Sequence, residues 1–358
     1  MSVATSHVRT YKGLQVLRIV AAGLVVGLHS TFYMRERLNP KADLFGVGVT
    51  GVDIFFVLSG FVMIYSSTQL FTISGGWKVF AERRIARIVP LYWIATTIKL
   101  ALLFLASSFV LHAHFDVWKT ICSYFFIPTY NIDHEIEPLL GVGWTLNFEM
   151  FFYLLFASTL LFRINVYKFC GAALCLLALG SYLRQPGWPA ASFYLNSIVL
   201  EFFLGMLIAW ACLHGKSLPR WAALPLLVAG FGFMLYRLPP VNSPRILMIG
   251  IPAALIVLAT ASLEGILSRL PRWLTYLGDA SYAIYLFHPM CSPAAPALLH
   301  KLHNTSAYLS VSLSLAIALV VGCLVHEFVE RPINNVLRTR LKVRHHMVLR
   351  KVPSAAIG

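Results

Sequence analysis

Charge is what this sequence has least of. Only 12% of its 358 residues are Asp, Glu, Lys or Arg, against about a quarter in an ordinary soluble domain, while 58% are hydrophobic. So little polar surface cannot cover a water-soluble molecule of this length, and a mean hydropathy of +0.74 makes lipid the solvent for many side chains. Acid is scarcer than base, with 14 Asp and Glu beside 29 Lys and Arg and a net charge of +15. Cysteine motifs are missing as well. Cys122, Cys170, Cys175, Cys212, Cys291 and Cys323 are scattered, with no CxxC pair and no histidine at zinc spacing, which favours apolar filler over disulfides or a metal site. No internal repeat is evident. The first apolar run holds Arg18 and His29 and lacks a small-residue cleavage pattern, so it is expected to stay as the first helix rather than leave as a signal peptide.

What the chain has in abundance is apolar runs of about 20 residues, the length that crosses a hydrocarbon core of roughly 30 Å. Helices are predicted near 14–33, 47–66, 88–111, 142–162, 166–183, 194–213, 221–236, 245–261, 281–299 and 307–327. The stretch 117–130 is too short and polar to cross and is expected to re-enter or lie at the interface. The expected fold class is therefore all-α, a polytopic membrane helical bundle with about ten transmembrane helices. One membrane-embedded domain is expected over 1–340, followed by a basic cytoplasmic tail over 341–358. With the N-terminus inside, the cytoplasmic segments hold 19 Lys and Arg and the opposite side 8, with Arg18 and Lys99 inside spans. That bias places both termini in the cytoplasm. It also absorbs the positive charge without nucleic acid as a partner, and the stretch RTRLKVRHH reads as an anchor for anionic membrane lipid.

An ionisable group at mid-bilayer costs on the order of 2.5–3.5 kcal/mol on insertion scales, so each needs a partner, a water-filled cavity or a task. Arg18 and His29 are eleven residues apart, which at 100° per residue returns to within about 20° of one helix face, about 16 Å along the axis. One cavity lined at two depths satisfies that spacing, and so does a snorkelling arginine with a hydrogen-bonded core histidine. Asp53 sits in the apolar run GVDIFFVLSGFVM, followed by Ser59 and Gly60, small residues that admit a helix or a ligand close to the backbone. Arg83, Arg84 and Arg87 cluster in a loop that leads into the third helix. Guanidinium forks suit phosphate, although topogenic charge explains them equally. Glu149 has Thr145 and Tyr153 four residues to either side as hydrogen-bond partners. Ser281, Tyr285 and His288 make one polar stripe, compatible with a site or with a seam between helices. Glu201 and Glu327 read as structural partners. The outer loop with His112, His114, Asp133, His134, Glu135 and Glu137 carries groups that suit sugar or a metal, but no readable code.

In order, RIVAAGLVVGLH, GVDIFFVLSGF, RRIARIVPLYW, VGWTLNFEMFFYLLF, EFFLGMLIA, GDASYAIYLFHP and E-RP make a chain-long pattern. The pattern resembles the integral-membrane acyltransferase family 3, most closely its exopolysaccharide-production (ExoZ-like) branch. The resemblance implies a membrane O-acyltransferase of the cell inner (plasma) membrane. Such an enzyme moves an acyl group, commonly acetyl, from acyl-CoA to a hydroxyl of a sugar in an exopolysaccharide or other surface glycan. No bound cofactor is implied beyond the acetyl-CoA or other acyl-CoA co-substrate, and polysaccharide-synthesis machinery is an implied partner. The family's Arg-x10-His motif falls on Arg18 and His29, and its phosphate-binding arginines fall on Arg83, Arg84 and Arg87.

The expected chemistry has His29 as general base, removing the proton of a sugar hydroxyl as that oxygen attacks the thioester. An acyl-histidine intermediate fits the same residues. Arg18 is expected to orient His29 through intermediate groups or to hold the donor, with Ser59 and Gly60 beside it, Ser59 or a backbone N–H being the candidate oxyanion donor. Glu149, with Trp144 at the mouth of its helix, is expected to bind acceptor hydroxyls or tune His29. Asp53, Tyr153, Ser281, Tyr285 and His288 are expected at the acceptor or behind it. The competing class is a transporter or flippase for a glycan or lipid-linked sugar, since intramembrane charge serves substrate pathways too.

Overall fold

The computed structural model describes residues 11–105, 115–131, 134–236 and 245–350. His112, His114, Asp133, the positive-inside residue Arg9 and the end of the tail, 351–358, lie outside these. The chain order is α1 (Lys12–Arg37), α2 (Thr50–Ser67), α3 (Gly76–Leu105), α4 (Val117–Tyr124), α5 (Trp144–Phe162), α6 (Val166–Gly180) and α7 (Leu200–Leu213). It continues through α8 (Arg220–Tyr236), α9 (Ile251–Ser262), α10 (Glu264–Leu267), α11 (Arg272–Cys291), α12 (Ala294–Lys301), α13 (Ala307–Val325) and α14 (Arg331–Arg350). No strand occurs among the described residues, only an isolated bridge between Tyr130 and Ile136. Helix is what lipid demands, because each backbone N–H and C=O must find its partner within the segment. Where helices start near water, side chains cap them: Asn165 accepts from the Lys168 N–H at 3.0 Å and Ser306 from that of Leu309 at 3.3 Å.

Among the described residues, six stretches are long and apolar enough to cross a membrane: Lys12–Arg37, Gly46–Phe71, Gly76–Leu105, Gly141–Phe162, Val166–Leu183 and Ala307–Leu341. Ser197–Leu213, Arg220–Tyr236 and Ile246–Ser262 are shorter apolar helices. Two predicted boundaries differ from the structure for clear reasons. α3 begins at Gly76 rather than near 88, so Arg83, Arg84 and Arg87 stand on a helix and not in a loop. The run WKVFAERRIAR is rich in helix formers but too charged for a hydropathy window, and α3 carries Pro90 inside it. The segment predicted over 281–299 is two helices, α11 starting at Arg272 and α12 beginning after Pro293. The stretch 117–130 contains the short helix α4. The boundary at 340 falls inside α14, which runs on from α13 through a π turn at His326–Glu330.

α2 is the central helix, packed most heavily on α7 and also against α1, α9 and α5. Glycine lets the α2 and α7 backbones touch. A Cβ on Gly60 would stand 1.9 Å from the Phe202 carbonyl oxygen, and one on Gly205 2.0 Å from that of Val57. Around this centre Phe56, Phe148, Phe152, Phe156 and Phe202 fill the core. On the outside, Leu154, Leu176 and Val228 are largely exposed, as a lipid-facing surface requires.

Candidate active site

A cavity of about 960 Å3 opens at the end of the bundle where α1 and α3 begin and where α2 and α13 finish. Its walls carry Arg18 of α1, Ser59 and Ser66 of α2, Arg83, Arg84 and Arg87 of α3, and Glu149 and Tyr153 of α5. α11 adds Asp279, Tyr282 and Tyr285, and the passage from α13 into α14 adds His326, Glu330, Arg331, Asn334, Asn335 and Arg338. Six guanidiniums therefore face three carboxylates, and the space is net positive.

Arg331 is paired with Glu327, but the other guanidiniums are not spent on acids. Among the described residues, Arg18, Arg83, Arg87 and Arg338 have no carboxylate at ion-pair distance. Arg84 is buried, donates to Ser66 Oγ at 2.6 Å, lies over the rings of Phe80 and Tyr153, and keeps an unsatisfied Nε. A buried, under-satisfied guanidinium is costly unless an anion completes it. Glu149 is held in place by Ser59, whose Oγ donates to Oε1 at 3.2 Å, and by a short hydrogen bond from the Tyr153 hydroxyl. On the opposite wall His326 Nδ1 meets Glu330 Oε2 at 2.7 Å. Tyr282 closes the side of the cavity by donating to the Ile88 carbonyl at 2.9 Å.

At the inner end stand Tyr285 and Thr145. Tyr285 Oη lies 2.9 Å from Thr145 Oγ1 and 2.9 Å from the Val142 carbonyl, to which Thr145 also donates at 3.0 Å. Next to the Tyr285 ring is that of His288, 6.0 Å away between centroids, and His288 Nε2 is 3.2 Å from His29 Nδ1. His288 is fully buried, and its Nδ1 lies 2.7 Å from the Tyr285 carbonyl oxygen. A carbonyl can only accept, so His288 carries its hydrogen on Nδ1 and presents Nε2 as a lone pair. His29 Nδ1, which also faces the Val25 carbonyl at 3.0 Å, is then the hydrogen-bearing nitrogen of its ring. The tautomers follow from the hydrogen-bond network, and they leave His29 Nε2 as a free lone pair.

Of the residues predicted from sequence, Arg18, Ser59, Arg83, Arg84, Arg87, Glu149, Tyr153 and Tyr285 line the cavity, and His29 and His288 form a pair just past its inner end. Arg18 and His29 share a helix face, but only Arg18 reaches the cavity. Ser59 spends its hydroxyl hydrogen on Glu149 and has none for an oxyanion. Gly60 faces the α7 backbone, not the cavity. Trp144 packs its ring against Phe56, Phe148 and Phe193. Ser281 bonds back to the Gly278 carbonyl within its own helix. Asp53 is fully buried and bound by Arg245 at 2.9 Å, with Glu201 beside it. Tyr282, His326, Glu330 and Asn334 are not among the sequence candidates, and Arg338 enters there only as part of the basic stretch assigned to anionic lipid.

The acyltransferase domain model matches residues 11–327, almost the whole of the bundle. The chain belongs to the acyltransferase 3 family. As a member it is a membrane O-acyltransferase. Its relatives include the exopolysaccharide production protein ExoZ of Rhizobium meliloti (strain 1021), 35% identical over 255 residues, covering 68% of this chain and 76% of that one. The acyltransferase MdmB of Streptomyces mycarofaciens is 27% identical over 334 residues, 83% of this chain and 84% of its own. YrhL of Bacillus subtilis (strain 168), provisionally named a peptidoglycan O-acetyltransferase, is 24% identical over 92% of this chain and 56% of its own length. No solved structure matches the chain.

Proposed function

We propose that this acyltransferase moves an acetyl group from acetyl-CoA, bound in the basic cavity, to a sugar hydroxyl of an exopolysaccharide or related surface glycan. The observation that carries the reading is the set of arginines without acid partners around one cavity whose inner end is lined by Tyr285, the neighbour of His288 in the His29–His288 pair. Guanidinium forks match phosphate, so the nucleotide end of the donor belongs at the mouth. The thioester belongs at the inner end, where Tyr285 and Thr145 must give way for it to meet His29. Arg18 and His29 mark that path on α1, about 16 Å apart along the helix axis.

In the reaction, the acceptor hydroxyl passes its proton to His29 Nε2 while its oxygen attacks the thioester carbonyl carbon. The tetrahedral adduct then collapses, the C–S bond breaks, and the CoA thiolate takes the proton back from the imidazolium. His288 Nε2 accepts from His29 Nδ1–H throughout and holds the ring so that Nε2 faces the acceptor. The excess of basic residues on one side supports cytoplasmic termini in an inner-membrane protein, and in that orientation the cavity opens to cytoplasmic acyl-CoA. A sugar acceptor is favoured by the names of ExoZ and YrhL.

The test is the O-acyl content of the producing cell's glycans by NMR, in wild type, a deletion strain, and a His29→Ala strain with normal protein level in the membrane. Loss of acyl signals in both mutants with glycan still exported is the expected result. Unchanged acylation, with glycan trapped inside the deletion strain, would sink the proposal and promote transport.

A further inference from the structure

We infer that α14 extends the phosphate-binding wall of the donor cavity, with Arg338 as its main contact, so that the cavity recognises a ligand bearing more than one phosphate group. The inference rests on the acyl-CoA reading for the name of the ligand, but not for its chemistry.

The sequence assigns the arginines after Pro332 to topology and to anionic lipid. The structure gives some of them a different place. The π turn at His326–Glu330 carries α13 into α14 alongside α3, and Arg331, Asn334, Arg338 and Leu341 then fall on one helical face along the cavity. π turns inside helices often mark functional sites. Arg340, on another face, does not line the cavity. Arg331 is already paired with Glu327 at 2.5 Å, which leaves Arg338 as the α14 cation in the cavity lining without a carboxylate partner among the described residues, with Asn334 and Asn335 as neighbouring amide donors.

Arg84 shows that this region is a built site rather than a charged rim: it is buried on the same wall system and its Nε has no partner. Arg83, Arg87 and Arg338 add three guanidiniums without carboxylate partners. That is more positive charge than one phosphate group balances. A CoA thioester brings a pyrophosphate and, separately, a ribose 3′-phosphate, and the division of the arginines between α3 and α14 suits that division of charge. An anionic lipid headgroup offers the same phosphate chemistry, and the experiment separates the two sources.

Full-length protein in nanodiscs of neutral lipid would be titrated with adenosine 3′,5′-bisphosphate and with 5′-AMP. Wild type is expected to prefer the bisphosphate at least about tenfold, the scale of one charge-assisted contact. Arg338→Ala should abolish that preference while leaving 5′-AMP affinity nearly unchanged, and Arg340→Ala should keep it. The KM ratio between acetyl-CoA and acetyl-3′-dephospho-CoA should follow the same pattern. Bisphosphate binding without any acetyl transfer would uphold the phosphate wall and sink the acyl-CoA proposal instead. The inference is overturned if Arg338→Ala leaves the preference intact, or if Arg340→Ala removes it equally. It is also overturned if wild type binds both nucleotides alike while Arg338→Ala releases bound phosphatidylglycerol, which would assign the wall to lipid.

Discussion

Two groups of buried charge sit in this bundle, and they are built in opposite ways. Asp53, Glu201 and Arg245 gather two carboxylates beside one guanidinium, with both acids fully buried between α2, α7 and α9 and outside the lining of the basic cavity. Arg18, Arg84, Glu149 and their neighbours gather more guanidiniums than acids, and all of them face an open volume. Both groups carry the desolvation cost of charge in a low-dielectric interior. The first pairs Asp53 with Arg245 inside the bundle; the second keeps cations without an acid partner, which a ligand of opposite sign completes. Burial of charge therefore does not distinguish a site from a strut. The balance of charge and access to a cavity do.

The sharpest break of that comparison is at the histidine pair. His29→Ala should lower the transfer rate by about a thousandfold, within the range a general base supplies, in a turnover assay on purified protein. Next, Arg84→Ala should reduce kcat/KM for the acyl donor by about a hundredfold, the loss of a charge-assisted bidentate contact. Arg84→Lys should recover little of it, since a point charge does not replace a fork. Asp53→Asn should do the reverse: turnover per folded molecule stays within about twofold, while stability to heat in detergent drops, because breaking a buried pair costs about 3–5 kcal/mol. Lost turnover at unchanged stability would erase the distinction between the two groups. Smallest is Tyr285→Phe, which removes one hydroxyl from the inner end of the cavity and should change kcat/KM about fivefold, the worth of a single neutral hydrogen bond.

Much of the site was legible because charge in a span of 20 apolar residues is expensive and conspicuous. Arg18, His29 and Glu149 stand out on that ground, Arg83, Arg84 and Arg87 as a cationic cluster in a loop before a span, and helical spacing alone pairs Glu149 with Tyr153 and places Tyr285 near His288. What spacing could not supply was partners far along the chain. His288 meets His29 across 259 residues, Asp53 meets Arg245 across 192, and Ser59 meets Glu149 across 90. Gly60 reads from sequence as room for a helix or a ligand and is room for α7, since a missing Cβ says only that something comes close. The contribution of α14 was hidden for another reason. Arginines just past an apolar span satisfy the positive-inside pattern so well that a second role leaves no trace in composition. The charged start of α3 was missed similarly, because hydropathy marks where lipid is met and not where a helix begins.

The most direct test of the account is equilibrium binding of acetyl-CoA to purified wild type, Arg84→Ala and Asp53→Asn, each confirmed monodisperse in nanodiscs. The account predicts equal affinity for wild type and Asp53→Asn and at least about tenfold weaker binding for Arg84→Ala, the loss expected for a charge-assisted phosphate contact. Wild-type protein that does not bind acetyl-CoA, or binding that Arg84→Ala leaves unchanged, would contradict it.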